Sequence, residues 1–175
     1  MTAVIGFVFE PRKLNAAELE IYQAWLEAKQ NKDFETADKL RTQLIEKDHL
    51  MRPELINASV LAYLGDSIFE VLVRDYLVKE SGFVKPNDLQ REAVKYVSAS
   101  SHAAFMHDML DEEFFSADEV GTYKRGRNTK GSKNESLDHM HSTGFEAVIG
   151  TLYLEENFDR IKVIFERYKQ YINNK

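Results

Sequence analysis

Cysteine is absent from this chain, and proline, with Pro11, Pro53 and Pro86, and tryptophan, with Trp25, are scarce. Without cysteine there is no disulfide and no thiolate metal site, and a cytoplasmic protein is the default expectation. No apolar run reaches the roughly 18 residues needed to span a bilayer, so no membrane partner is expected. The stretch Val4–Phe9 is too short for a signal-peptide core and has no basic residue ahead of it. A Gly-rich nucleotide loop is missing too, as is any nucleophile–base pair at a recognisable spacing. What is present suits a folded domain: 43% hydrophobic residues can fill a core, and 30% charged residues can cover it.

With so few prolines, each serves as punctuation. Pro53 is the best boundary, separating an N-terminal appendage (1–52) from a main domain (53–175). In the appendage, the spacing predicts a helix over Ala16–Lys29, with Leu19, Tyr22 and Leu26 on one face. Asn31-Lys32-Asp33 is turn chemistry, and a second helix follows over Phe34–Lys47, with Phe34, Ala37, Leu40 and Leu44 in register. Such a hairpin is too small to be stable unless it docks or dimerises. Past Pro53, Asn57–Val78 is apolar nearly all round, the mark of a helix at the centre of a bundle. Further helices are expected over Pro86–Val97, Ala103–Leu110, Ala117–Lys124, Ser142–Leu154 and Asp159–Ile172, with a basic loop over Gly126–Ser136. The predicted fold class is all-α.

The net charge of −6 argues at first against a polyanionic partner, but the charges are segregated. Lys124, Arg125, Arg127, Lys130 and Lys133 crowd one acid-free stretch, just after Asp111, Glu112, Glu113, Asp118 and Glu119. Either this is a solvated basic loop, or it is the one place where a polyanion is admitted.

Two acids stand in oily sequence: Asp66 in Leu61-Ala-Tyr-Leu-Gly-Asp-Ser-Ile-Phe, and Glu146 in Gly144-Phe-Glu-Ala-Val-Ile-Gly. Desolvating an ionised carboxylate costs several kcal/mol, so such acids sit in salt bridges, caps or metal sites. Ser67-x-x-Glu70 and Thr143-x-x-Glu146 both fit a capping box, and Asp66 fits a cap on a helix broken at Gly65. Mg²⁺ held by one or two carboxylates is the other reading. Continuous helical sequence before Gly65 favours the close approach of another backbone or of a substrate there over a break. Glu70 and Arg74, one turn apart, read as a structural ion pair.

Leu61-Ala-Tyr-Leu-Gly-Asp66-Ser-Ile-Phe-Glu70 resembles the signature of the ribonuclease III family, and Phe145-Glu146-Ala-Val-Ile-Gly150-Thr-Leu-Tyr-Leu resembles its second acidic helix. Gly82-Phe-Val-Lys-Pro-Asn-Asp-Leu89, Val97-Ser-Ala-Ser, Lys124-Arg-Gly-Arg-Asn128 and Ser142-Thr-Gly-Phe-Glu146 are similar to the Mini-III branch, which lacks a separate double-stranded-RNA-binding domain. The resemblance implies a ribonuclease III-type helical bundle with Asp66 and Glu146 as catalytic, metal-binding residues for Mg²⁺, with Mn²⁺ as a substitute. It implies a homodimer cutting double-stranded RNA, with the terminal stems of 23S ribosomal RNA precursor as the substrate. Lys124, Arg125, Arg127, Asn128, Lys130 and Lys133 would grip RNA, Gly126 and Gly131 letting the backbone approach. The family's other two acids fall at Ala62 and Thr143. Gln30-Asn-Lys-Asp-Phe-Glu-Thr-Ala-Asp-Lys-Leu-Arg41 resembles the C-terminal tail of cysteinyl-tRNA synthetase and the helical module of the UvrB and UvrC proteins.

Two other classes compete. One is a non-catalytic double-stranded-RNA-binding or ribosome-associated scaffold that kept the fold. The other is an HD-type phosphohydrolase, suggested by His107-Asp108, but the earlier histidine it needs has no candidate: His102 is too near and His49 lies in the appendage. His139-x-His141 would be half of a transition-metal site, against the simpler reading of solvated or phosphate-facing side chains beside a loop.

Overall fold

A computed structural model describes residues 15–48, 53–129 and 136–174, and every regular element among them is an α-helix. In chain order these are α1 (Ala16–Gln30), α2 (Phe34–Asp48), α3 (Ala58–Glu80), α4 (Pro86–Val97), α5 (Ala99–Asp111), α6 (Ala117–Arg127), α7 (Leu137–Leu154) and α8 (Phe158–Asn173). The chain divides into two compact units, Met1–Leu55 and Ile56–Lys175.

The first unit is the helical hairpin. Asn15 opens α1 with a reciprocal capping box to Glu18, and Lys32 takes the left-handed conformation (φ 59°) at the turn. Its interior is Trp25, Ala28, Ala37, Leu44 and Leu55, flanked by Ile21, Tyr22 and Leu40. Leu19, Leu26 and Phe34, placed on the apolar face by spacing alone, are exposed instead. Trp25 offers the largest apolar surface in the hairpin, so its orientation decides which stripe of α1 turns inward.

In the second unit, α7 rather than α3 is the central helix. It buries Ser142, Gly144, Phe145 and the whole run from Ala147 to Leu152. Around it lie α3, α5, α6 and α8, joined by an aromatic cluster in which Phe69, Phe105 and Tyr168 surround Phe145 at ring-centroid distances of 5.0, 5.8 and 5.7 Å. Arg160 on α8 fastens the start of α6, pairing with both oxygens of Glu119 at 2.7 and 2.9 Å and donating to the Phe114 carbonyl at 2.9 Å. The all-round apolar helix α3 buries only one face, through Leu61, Ala62, Gly65, Phe69, Val73 and Leu77. Val60, Tyr63, Val71 and Val78, on its other side, are 56%, 80%, 52% and 68% exposed.

α5, α6 and α7 each run three or more residues beyond the bounds that spacing predicts. α5 starts directly after its N-cap Ser98, and α7 starts after Ser136, whose hydroxyl accepts from the His139 amide. α6 continues through Arg127, so Lys124, Arg125 and Arg127 form a helical last turn rather than loop. Cations there suit the carbonyl-rich end of the helix.

Candidate active site

The site is built on a helix crossing that only glycine permits. A Cβ on Gly65 of α3 would lie 1.8 Å from the Glu146 carbonyl oxygen and 2.7 Å from the Gly150 nitrogen. One on Gly150 would lie 2.0 Å from the Leu61 carbonyl oxygen. Buried Ala62 and Ala147 line the same contact. Backbone therefore touches backbone, and two acids arrive together: Asp66, the next residue after Gly65, and Glu146, whose own carbonyl faces Gly65. Both helices run unbroken through these positions, so neither acid caps a helix start. Glu70 makes the expected ion pair with Arg74, at 3.2 Å.

Electrostatics records the approach. The Asp66 carboxyl is held above its ordinary range, first by loss of water at the crossing, then by the negative charges of Glu146 and Glu70, with His102 opposing. A carboxylate pair that repels in this way favours a divalent cation. Among the described residues no group of three or more His, Cys, Asp or Glu side chains gathers into a metal cluster. Two hard carboxylates would fit Mg²⁺, an ion usually held by one or two carboxylates with water and phosphate completing the shell.

A polar chain lies behind Glu146. Ser142, one turn earlier on α7, donates its hydroxyl to Glu146 Oε1 at 2.8 Å. The Nδ1 of His102, on α5, lies 2.8 Å from Ser142 Oγ and 3.6 Å from Glu146 Oε1. Both His102 and Ser142 are buried.

The basic turn of α6 docks on the same stretch of α7. A Cβ on Gly126 would come within 2.9 Å of Ala147 Cβ, Gly144 Cα and the Thr143 carbonyl oxygen, and one on Gly144 would strike Tyr123. Gly126 is therefore consumed by packing against α7, not available for RNA approach. Lys124 and Asn128 are exposed, and Arg125 and Arg127 half-buried, with Arg127 5.8 Å from the Tyr123 ring centre. Lys130, Gly131 and Lys133 lie outside the described residues. His139 and His141 both sit on α7, two positions apart, a spacing that points them to different sides of a helix. His141 Nδ1 meets the Tyr123 hydroxyl at 2.6 Å.

The Ribonuclease III domain model matches residues 59–157, which span α3 through α7 and both acids. The chain belongs to the ribonuclease III family. Its likeness to Mini-ribonuclease 3 proteins places it in that branch: 41% identity to the Streptococcus pneumoniae protein over 62% of this chain and 87% of that one. The Symbiobacterium thermophilum and Staphylococcus aureus proteins are each 35% identical over 70% of this chain, covering 95% and 93% of their own lengths. A crystal structure of a Fusobacterium nucleatum protein shares the fold, with a TM-score of 0.58 at 22% identity, covering 72% of this chain and 96% of that one.

Against the wider ribonuclease III pattern, the two positions that lack acids are otherwise engaged. Ala62 is buried at the glycine crossing, in the cluster it forms with Leu61 and Ala147. Thr143 turns its hydroxyl back to the His139 carbonyl at 3.0 Å. Sequence reasoning missed His102 and Ser142 as members of the site. Ser142 was within reach, lying one helical turn from Glu146, but nothing in the sequence links His102 to it across forty residues.

Proposed function

We propose that this chain, an endoribonuclease of the ribonuclease III type, hydrolyses double-stranded RNA with Mg²⁺ held between Asp66 and Glu146, and that it works as a homodimer. The observation that carries this reading is the Gly65–Gly150 crossing, which brings a carboxylate from each helix to one place. When bound, the ion lowers the pKa of a water molecule and steadies charge on the phosphoryl oxygens. The chain's own part is to fix that geometry. Asp66 and Glu146 supply the hard oxygen ligands. The close crossing sets their separation, since neither backbone can shift without the other.

Duplex RNA presents phosphates and 2′-hydroxyls on an A-form surface, which is read by shape rather than by base edges. Lys124, Arg125, Arg127 and Asn128 at the end of α6 would meet phosphates near the scissile one, because α6 packs on α7 at Thr143–Ala147. Lys130 and Lys133 extend that basic run in sequence. The exposed stripe Val60, Tyr63, Val71 and Val78 on α3 recurs at helical spacing, as an isologous dimer contact would require. In such a dimer each protomer cuts one strand. A cysteine-free sequence suits the reducing cytoplasm. The substrate we assign, the terminal stems of 23S ribosomal RNA precursor, follows from the Mini-III resemblance.

Cleavage of a labelled RNA duplex by wild type, Asp66→Asn and Glu146→Gln, with and without Mg²⁺, tests the reading. Wild type cuts only with the ion, and both variants lose activity. Full activity in both variants would show that the assigned acids are not the catalytic ones, and an inert wild type would leave a scaffold that binds RNA.

A further inference from the structure

Behind the proposed metal site, we infer that His102 and Ser142 act as a positioning relay that anchors one oxygen of Glu146 and so aims the other at the divalent ion. The inference rests on the metal reading above.

The hydrogen bonds fix the direction of the relay. A carboxylate only accepts, so the single hydroxyl proton of Ser142 goes to Glu146 Oε1 across 2.8 Å. With that proton spent, the 2.8 Å contact between Ser142 Oγ and His102 must be carried by an Nδ1–H of the imidazole. The other ring nitrogen, Nε2, is buried without a hydrogen-bond partner. The ring is gripped by Phe69, Phe145 and Tyr168, at centroid distances of 5.3, 4.8 and 5.8 Å. Only one edge of the imidazole is polar in use, and it points at Ser142.

Stability does not account for this arrangement. Among these aromatic rings an apolar side chain would fill the space without leaving a buried nitrogen unsatisfied, a defect that costs roughly 1–3 kcal/mol. Ser142 also departs from the usual habit of a serine inside a helix, which is to bond back to a carbonyl one turn earlier. Its neighbour Thr143 does that, to His139. Ser142 instead reaches forward to the acid. With only two carboxylates offered to the ion, the rotamer of Glu146 matters more than it would in a site with a full set of acids. Partners that orient a metal-binding side chain are commonly worth roughly 10–100-fold in metal affinity or activity.

The test uses the full chain and Mn²⁺ as probe. Mn²⁺ binding to the metal-free protein is followed by the electron paramagnetic resonance of the free ion, and duplex cleavage is followed against Mg²⁺ concentration. Ser142→Ala and His102→Leu are expected to weaken Mn²⁺ binding, and to raise the Mg²⁺ needed for half-maximal cleavage, by roughly 10–100-fold. The KM for duplex at saturating metal should stay unchanged. His102→Asn, whose amide nitrogen can take the place of Nδ1, should recover most of the loss. Wild-type Mn²⁺ affinity in Ser142→Ala, with only a lowered melting temperature, would overturn the relay. Nitrogen-15 NMR of His102 in the unaltered protein needs no variant to fold: the relay requires the proton on Nδ1, and a proton found on Nε2 instead overturns it. Asp66→Asn separates the two levels. If that variant binds Mn²⁺ as wild type does, the metal reading fails and the relay with it. Weak binding by Asp66→Asn beside normal binding by Ser142→Ala defeats the relay alone.

Discussion

Replacing Gly65 by alanine puts a methyl group where α7 already is. The new Cβ would lie 1.8 Å from the Glu146 carbonyl oxygen, with Gly150 N at 2.7 Å and Glu146 C at 2.8 Å. Reaching even a tight 3.0 Å requires the helices to part by about 1.2 Å. No flexible side chain can yield, because every atom in the way is backbone. Overpacking of this kind costs roughly 1–3 kcal/mol, here at the upper end, and alanine's better helix propensity returns about 1 kcal/mol. A net loss of about 2 kcal/mol corresponds to a fall of about 4–8 °C in melting temperature for a chain of this size. Activity should suffer more than stability, since displacing Glu146 from Asp66 by about 1 Å can cost on the order of 100-fold in rate. The control is Gly121→Ala on α6, where an added Cβ meets nothing within 4 Å. That variant should be more stable by about 0.5–1 kcal/mol and should cleave normally. Calorimetry and duplex cleavage read both outcomes. A Gly65→Ala protein with wild-type stability and rate would refute the glycine-crossing account.

The Glu119–Arg160 pair gives a pH dependence. Burial pushes the Glu119 carboxyl up, but hydrogen bonds from Arg160 and Ser116 outweigh it and hold the group below its ordinary range. A depressed folded pKa gives stability that is present above the unfolded value and lost as pH falls through the folded one. Glu119→Ala should therefore cost about 3 kcal/mol at neutral pH, leaving Arg160 unpaired, and progressively less in acid; a pH-independent cost in urea titrations would refute this. Arg125→Ala and Arg127→Ala should each flatten the plot of log affinity against log salt by roughly 0.7–0.9. An unchanged slope in filter binding would remove them from the RNA interface. Val71→Asp should turn the proposed dimer into a monomer by sedimentation, whereas an unaltered mass would exclude the α3 stripe as the dimer contact.

Local pattern carried much of the fold. Helical spacing located all eight helices among the described residues, and Gly82 ends α3 with φ 73°, the left-handed conformation glycine tolerates. The early starts of α5 and α7 fall in stretches rich in serine and histidine, Ala99–His102 and Leu137–Ser142, where apolar residues are sparse. Serine caps and packing against other helices fix them instead. α3 misled in another way: an apolar surface all round reads as central, yet one side is left to solvent in this chain. For the two acids, sequence left capping and metal binding open, since Ser67-x-x-Glu70 and Thr143-x-x-Glu146 satisfy the capping pattern. Unbroken helices through Asp66 and Glu146 remove the capping reading. The basic cluster was visible as charge, but its attachment to α7 through Gly126 and Gly144 was not. His102 was legible only in three dimensions: nothing in its neighbourhood along the chain marks it as a partner of Ser142.

Anomalous diffraction from crystals soaked in Mn²⁺ would locate the ion directly. The account predicts a peak bounded by the side chains of Asp66 and Glu146, on the face where α3 crosses α7. A well-occupied ion elsewhere, with those two carboxylates turned away from it, would contradict the central claim.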